Sequence, residues 1–198
     1  MGSTSPADPL LGMLAELSWT QGPVTLASGQ TSDFYIDCKQ TALNASGSVL
    51  IGERVWRIVR ELRDSGMSIR GIGGLTLGAD PIALATAVAS ASSDDPVHAF
   101  IIRKEPKGHG TEAWLEGGRN VPSGAAVVIA EDVITTGGST LKAIERTRQS
   151  GLQPHAVICL VDREQGGVAR IRDESGLDVH ALFTRQDFET FRTSSEEP

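Results

Sequence analysis

A chain of 198 residues, 39% hydrophobic and 22% charged, is long enough to bury one sizeable core and is expected to form a single domain with room for a small subdomain. A net charge of −7 and 5% aromatic residues argue against a nucleic-acid surface, which needs basic side chains and stacking rings. No apolar run approaches the ~20 residues of a membrane span. The opening MGSTSPADPL lacks the basic and apolar parts of a signal peptide, and Cys38 and Cys159 read as reduced, buried thiols, so a cytoplasmic protein is expected.

In chain order, Asp8-Pro9 makes an N-cap with proline at the first helical position, followed by a stripe of Leu10, Leu11, Leu14 and Leu17. The polar stretch TLASGQTSDFYIDCKQTAL mixes turn residues with short β-like pieces. Val49, Leu50, Val55, Ile58, Val59 and Leu62 then recur at helical spacing over 48–64, and Gly66 supplies a stop. From there strands and helices alternate. The pattern predicts strands near 69–73, 97–103, 125–131, 156–161 and 178–183, and helices at 80–91, 138–149 and near 166–173. Apolar strands separated by helices indicate an α/β fold with a parallel sheet covered on both faces. The tail RTSSEEP has too few apolar residues to pack and is expected to fray.

Ligands of open α/β sheets gather at the carboxyl ends of the strands, and four polar loops fall there: GIGGLTLGAD, RKEPKGHGTEAW, EDVITTGGST and DREQGG. In VVIAEDVITTGGST, Glu131 and Asp132 repel each other unless something cationic or hydroxylated lies between them. Thr135, Thr136, Gly137, Gly138 and Ser139 lead into a helix whose first amides attract a phosphate. Acids beside an anion site suit a phosphorylated sugar, or Mg²⁺ with its waters. The chain has no GxxxxGK[ST], and GIGGLT lacks the third glycine of GxGxxG. Arg103, Lys104 and Lys107 make a basic loop in an acidic protein, and Pro106, Gly108 and Gly110 oppose a helix there. Charge runs are usually solvated faces, but this one follows a buried strand at the same edge as the phosphate loop. His109 reads either as a mere tenant of that loop or as a proton and hydrogen-bond donor. His98, His155 and His180 show no metal-ligand spacing and read as structural.

The acid pair with VITTGGST resembles the phosphoribosyl-pyrophosphate (PRPP) signature of the type I phosphoribosyltransferases. Taken with SGQTSDFYIDCK, RKEPKGHG and VDRE, the resemblance spans about residues 22–188 and narrows to the orotate-specific branch of that family. It implies a central parallel sheet flanked by helices, within a single domain over 1–198. A small hood would come mainly from residues 1–45 and the C-terminal segment, with a disordered tail at 192–198. The implied reaction is Mg²⁺-dependent transfer of the 5-phosphoribosyl group from PRPP to N1 of orotate. Its products are orotidine 5′-phosphate and pyrophosphate, a step of pyrimidine (UMP) biosynthesis.

By position, the resemblance implies that Glu131 and Asp132 bind the ribose hydroxyls, and that Val133, Ile134, Thr135, Thr136, Gly137, Gly138 and Ser139 cradle the 5′-phosphate. Arg103, Lys104, Lys107 and His109 would reach the pyrophosphate, with Lys104, Lys107, His109 and Asp132 as the catalytic set. Thr135, Arg163 and the backbone of Tyr35 and Ile36 would hold orotate. Mg²⁺ would travel with PRPP, Glu131 and Asp132 being the nearest protein groups. A homodimer is implied, with the basic loop serving the partner's site, and neither a nucleic acid nor a membrane as partner. This chain carries Ala27 and Gly78 where many members have lysine, and Gln30 for a common arginine. PRPP affinity should then lean on Lys104, Lys107 and Mg²⁺, and a lysine restored at 78 should tighten it or leave it unchanged. The competing readings are a phosphoribosyltransferase for another base and a PRPP-sensing regulator without turnover.

Overall fold

The computed structural model describes residues 8–25, 31–106 and 114–195. Helix α1 (Pro9–Leu17) starts where Asp8 accepts the amides of Leu10 and Leu11, and it buries Leu10 and Leu14. The two strands that follow are held by pairing rather than by apolar pattern. Strands β1 (Trp19–Thr25) and β2 (Thr31–Ile36) form a separate two-stranded antiparallel sheet, with Trp19 opposite Ile36. After the short α2 (Lys39–Ala42) comes α3 (Ala45–Asp64), capped by Asn44 and turning Ile51, Val55, Val59 and Leu62 inward.

The alternating part contains β3 (Ile69–Leu75), α4 (Ala79–Ser90), β4 (His98–Ile102), β5 (Leu115–Glu116) and β6 (Ala126–Ile134). It continues with α5 (Gly138–Gln149), β7 (Gln153–Asp162), α6 (Gly167–Ser175), β8 (Asp178–Thr184) and α7 (Arg185–Ser195). Strand order in the sheet is β5-β4-β3-β6-β7-β8, with β5 antiparallel to β4 and the other pairs parallel. Alternation along β7 explains why both faces are covered. Ala156, Ile158 and Leu160 join the core shared with α3 and α4, while Val157 and Cys159 join that shared with α5 and α6. Cys38 and Cys159 are both buried.

Two expectations change. Residues 192–195, predicted to fray, continue α7, and 196–198 lie outside the described residues. The helix exists because of its aromatic side rather than a long apolar stripe. Phe188 is fully buried and stacks on Trp19 with centroids 4.8 Å apart; Trp19 stacks on Phe34 at the same distance, and Phe183 meets Phe188 edge-on. Such pairs add ~1 kcal/mol each beyond their burial, enough to dock a polar helix on the β1–β2 hairpin. Strand β6 also runs three residues beyond the predicted end at 131. Val133 and Ile134 are therefore ladder residues opposite Val161 and Asp162.

Candidate active site

The end of β6 places the acid pair. Glu131 points into the protein, 5% exposed, where its Oε2 accepts hydrogen bonds from the hydroxyls of Ser139 (2.8 Å) and Thr140 (2.9 Å) on the first turn of α5. Burial, and then the charge of Asp132, push Glu131 up to about 7 against the help of those two hydroxyls. Asp132 stays within hydrogen-bond reach of Glu131 and has further partners. Its Oδ1 accepts from the Val133 amide at 2.9 Å and its Oδ2 lies 3.5 Å from Lys39 Nζ. Lys39 also pairs with Asp37 at 2.7 Å. Burial alone would pull the Lys39 ammonium down, but Asp37 and Asp132 outweigh it and hold it above its ordinary value.

Thr135, Thr136 and Gly137 form the turn between β6 and α5, and Gly137 adopts φ +77°, open to glycine at little cost. A Cβ there would lie 2.9 Å from the Gly167 carbonyl and 3.0 Å from Ile171 Cγ1; one on Gly167 would lie 2.6 Å from the Thr135 carbonyl. Gly137 of TTGGS and Gly167 of EQGG thus pack against each other, and Arg170 donates to the Thr136 carbonyl at 3.2 Å. The first amides of α5 have no intrahelical acceptor, and the N-cap Gly137 supplies no side chain to meet them. Ile134 is 1% exposed, so its side chain belongs to the core and only its backbone borders this turn.

On the opposite wall, the expected position for a cation is a tight contact. A Cβ on Gly78 would fall 2.6 Å from Asp132 Oδ1 and 2.8 Å from its Cγ. Gly78 has φ −61°, so it is the approach of Asp132 and not backbone conformation that asks for glycine. A side chain at 78 would crowd the Asp132 carboxylate, which would have to shift to admit it.

The basic loop leaves from a fixed neck. The Arg103 amide donates to the Trp114 carbonyl at 2.8 Å, and the Arg103 guanidinium pairs with Glu116 at 2.9 Å. Arg146 of α5 lies 4.0 Å over the Trp114 ring and donates to the Arg103 carbonyl. Arg103 is therefore engaged at the neck, while Lys104 is exposed. Lys107, His109, Ala27 and Gln30 lie outside the described residues.

At the end of β7, the Arg163 amide donates to the Ile134 carbonyl at 2.9 Å, which ties this strand end to the phosphate turn. The Arg163 guanidinium is 8% exposed and rests 4.5 Å from the centre of the Phe34 ring. Tyr35, next along β2, points out and is 40% exposed, so it is no core aromatic; Ile36 is buried. Burial, and then the nearby Arg185, lower Arg163 below its ordinary value, with Tyr35 acting against them. The structure thus gathers Glu131, Asp132, Thr135–Ser139 and Arg163 at one sheet edge. Sequence reasoning missed Lys39 and Arg185. DCK offered a weak signal for the first, a cation beside SDFYI; TRQDF offered none for the second.

No family model matches the chain. Curated relatives do. It is 47% identical over 180 residues to orotate phosphoribosyltransferase of Nostoc sp., covering 91% of this chain and 84% of that one. It is 44% identical to that of Sorangium cellulosum, covering 93% of each. Among solved structures, Mycobacterium tuberculosis orotate phosphoribosyltransferase in complex with Fe(III) dicitrate superposes with a TM-score of 0.76 at 35% identity, over 91% of this chain and 97% of that one. The complex of the same enzyme with PRPP gives 0.72 at 32% identity, over 92% and 98%. With such identities sustained along nine-tenths of its length, the chain belongs to the orotate phosphoribosyltransferases, within the type I phosphoribosyltransferase fold.

Proposed function

We propose that this chain transfers the 5-phosphoribosyl group from PRPP to N1 of orotate with Mg²⁺, working as a cytoplasmic homodimer. The observation that carries the reading is the acid pair. A buried Glu131 held up to about 7 beside Asp132 is costly, and it sits next to unpaired helix amides. A phosphorylated ribose answers both, its hydroxyls donating to the carboxylates and its phosphate accepting from the Thr135–Ser139 backbone. No helix among the described residues is long and apolar enough to cross a membrane.

Donor chemistry limits how Mg²⁺ can be held. Asp132 already receives an amide and Lys39, Glu131 receives two hydroxyls, and no cluster of three or more His, Cys, Asp or Glu stands among the described residues. The fitting arrangement has the phosphate and hydroxyl oxygens of PRPP supply most of the ligands, with Glu131 and Asp132 nearest. Bound in this way, Mg²⁺ supplies charge neutralisation to the pyrophosphate.

The chain's own residues account for the remainder. N1 of orotate bonds to C1 of the ribose as the bond to pyrophosphate breaks, through a transition state with oxocarbenium character. Negative charge grows on the leaving group, where Lys104, Lys107 and His109 stabilise the transition state more than the ground state. Arg163 pairs with the orotate carboxylate in a fork geometry a lysine cannot reproduce, and the backbone at Tyr35, Ile36 and Thr135 holds the ring.

The homodimer reading draws support from an apolar face. Leu43, Val49, Leu84 and Val88 are exposed around a groove of about 480 Å³ along α2, α3 and α4. Leu77, also exposed, precedes Gly78, whose Cα faces Asp132. A second copy covering the face would bring its basic loop to this site. The hood is assigned to α1, the β1–β2 hairpin, α2 and α7.

The test is loss of orotate absorbance on mixing protein, orotate, PRPP and Mg²⁺. PRPP-dependent loss is expected. A folded protein that binds PRPP and leaves orotate untouched would instead be the regulator.

A further inference from the structure

The same ring that receives Arg163 receives a second cation. The Arg185 guanidinium carbon lies 4.4 Å from the centre of the Phe34 ring and that of Arg163 lies 4.5 Å from it. The two charges are therefore at most about 9 Å apart, close to the ~8 Å screening length of physiological salt. They come from different parts of the fold. Arg163 follows β7, Arg185 opens α7, and Phe34 belongs to the hairpin. The arrangement is braced, because Glu164 accepts the Gln186 amide at 3.1 Å and joins the Arg163 loop to the start of α7. Arg185 is also paired with Glu189 at 2.8 Å, an exposed i,i+4 bridge that screens it without removing its charge.

Two guanidinium groups against one aromatic ring, one of them on a buried arginine, cost stability through mutual repulsion. Ring contacts of this kind favour each cation singly by ~1 kcal/mol, which does not require them to be neighbours. A ligand carboxylate at Arg163 would feel both charges, whereas a ligand without one would feel neither to advantage.

We propose that Arg185 is a second specificity determinant for the carboxylated base, a positioning residue that sets the electrostatic preference of the Arg163 pocket. The inference rests on the orotate reading above. It makes the C-terminal helix part of base selection, so that α7 serves the site as well as the hood. Arg185 acts through charge, with Phe34 fixing where that charge stands.

Orotidine 5′-phosphate and uridine 5′-phosphate differ by the carboxylate on the ring, and their affinity ratio isolates this effect from phosphate and ribose contacts. The ratio is measured by calorimetry for wild type, Arg185→Gln and Arg185→Lys, with PRPP affinity as control. Wild type should prefer orotidine 5′-phosphate. Arg185→Gln should lower that preference about five- to tenfold, roughly 1 kcal/mol, with PRPP affinity unchanged. Arg185→Lys should retain most of the preference, which a merely structural role for the planar group would not allow. A ratio kept within about twofold in Arg185→Gln, or lost equally in Arg185→Lys, overturns the proposal and leaves the orotate reading standing. A wild type without preference removes the orotate reading itself.

Discussion

The site has an acidic end and a basic end, and they handle like-charge crowding differently. At the end of β6, Glu131 and Asp132 are adjacent in sequence and within reach of each other, and each is also held by partners of its own, Ser139 and Thr140 for one, Val133 and Lys39 for the other. At the ends of β7 and β8, Arg163 and Arg185 come from separate segments and converge on Phe34. Carboxylates can be satisfied by many small donors, so a turn rich in hydroxyls and glycine suffices for them. Guanidinium groups offer broad planes, and an aromatic ring can hold two of them without neutralising either. The acidic end is thus written in one contiguous motif, and the basic end only in the fold.

The largest expected effect comes from disabling the basic loop and the basic end in separate subunits. Lys107→Ala and Arg163→Ala should each lose on the order of 10²–10³ in rate. Mixed in equal amounts and allowed to exchange, half the dimers become hybrids with one whole site each, and activity should return to about a quarter of wild type. Recovery that stays at the level of the separate mutants, with exchange verified by mass, would place the loop in its own subunit's site.

A smaller effect probes the acidic end by stability. Glu131 has a folded value of about 7 against an ordinary 4.5, so the folded state holds its proton more tightly than the unfolded one. That contribution is fully present below pH 4.5 and is lost as pH rises through about 7. Glu131→Gln escapes the loss. Relative to wild type it should gain up to about 3 kcal/mol between pH 4.5 and pH 8, several degrees in Tm, while binding PRPP more weakly. Thermal melts at both pH values check this, and an equal Tm difference at the two would contradict it.

Smaller again is the effect of the wall facing Asp132. Gly78→Ala adds only the Cβ that would lie 2.6 Å from Asp132 Oδ1. Displacing that carboxylate from the Val133 amide costs about 1.5 kcal/mol, so the apparent PRPP constant should rise about tenfold. Gly78→Lys should do no better despite its charge. Tighter PRPP binding by Gly78→Lys would restore the view taken from sequence alone.

Much of the architecture was legible because apolar runs such as VVIA and AVICLV can only be buried strands, and the helices between them carry clear periodicity. The acid pair and its glycine turn were legible for the same reason, being local. What was hidden depends on distance. Lys39 is an ordinary lysine until folding sets it beside Asp132, and Gly78 is an ordinary glycine until Asp132 closes on it. Helix α7 was hidden because its docking rests on Phe188 stacking with Trp19, a residue far away in sequence. Arg185 belongs to the same class, since it, Arg163 and Phe34 come from three separate segments.

The most direct measurement is the initial rate of base consumption at fixed PRPP and Mg²⁺, with orotate, uracil, hypoxanthine and adenine supplied separately. If the basic end selects a carboxylated pyrimidine as proposed, orotate should be consumed with matching formation of orotidine 5′-phosphate and pyrophosphate, and the other three far more slowly. A purine or uracil consumed as fast as orotate would contradict the assignment of the base site.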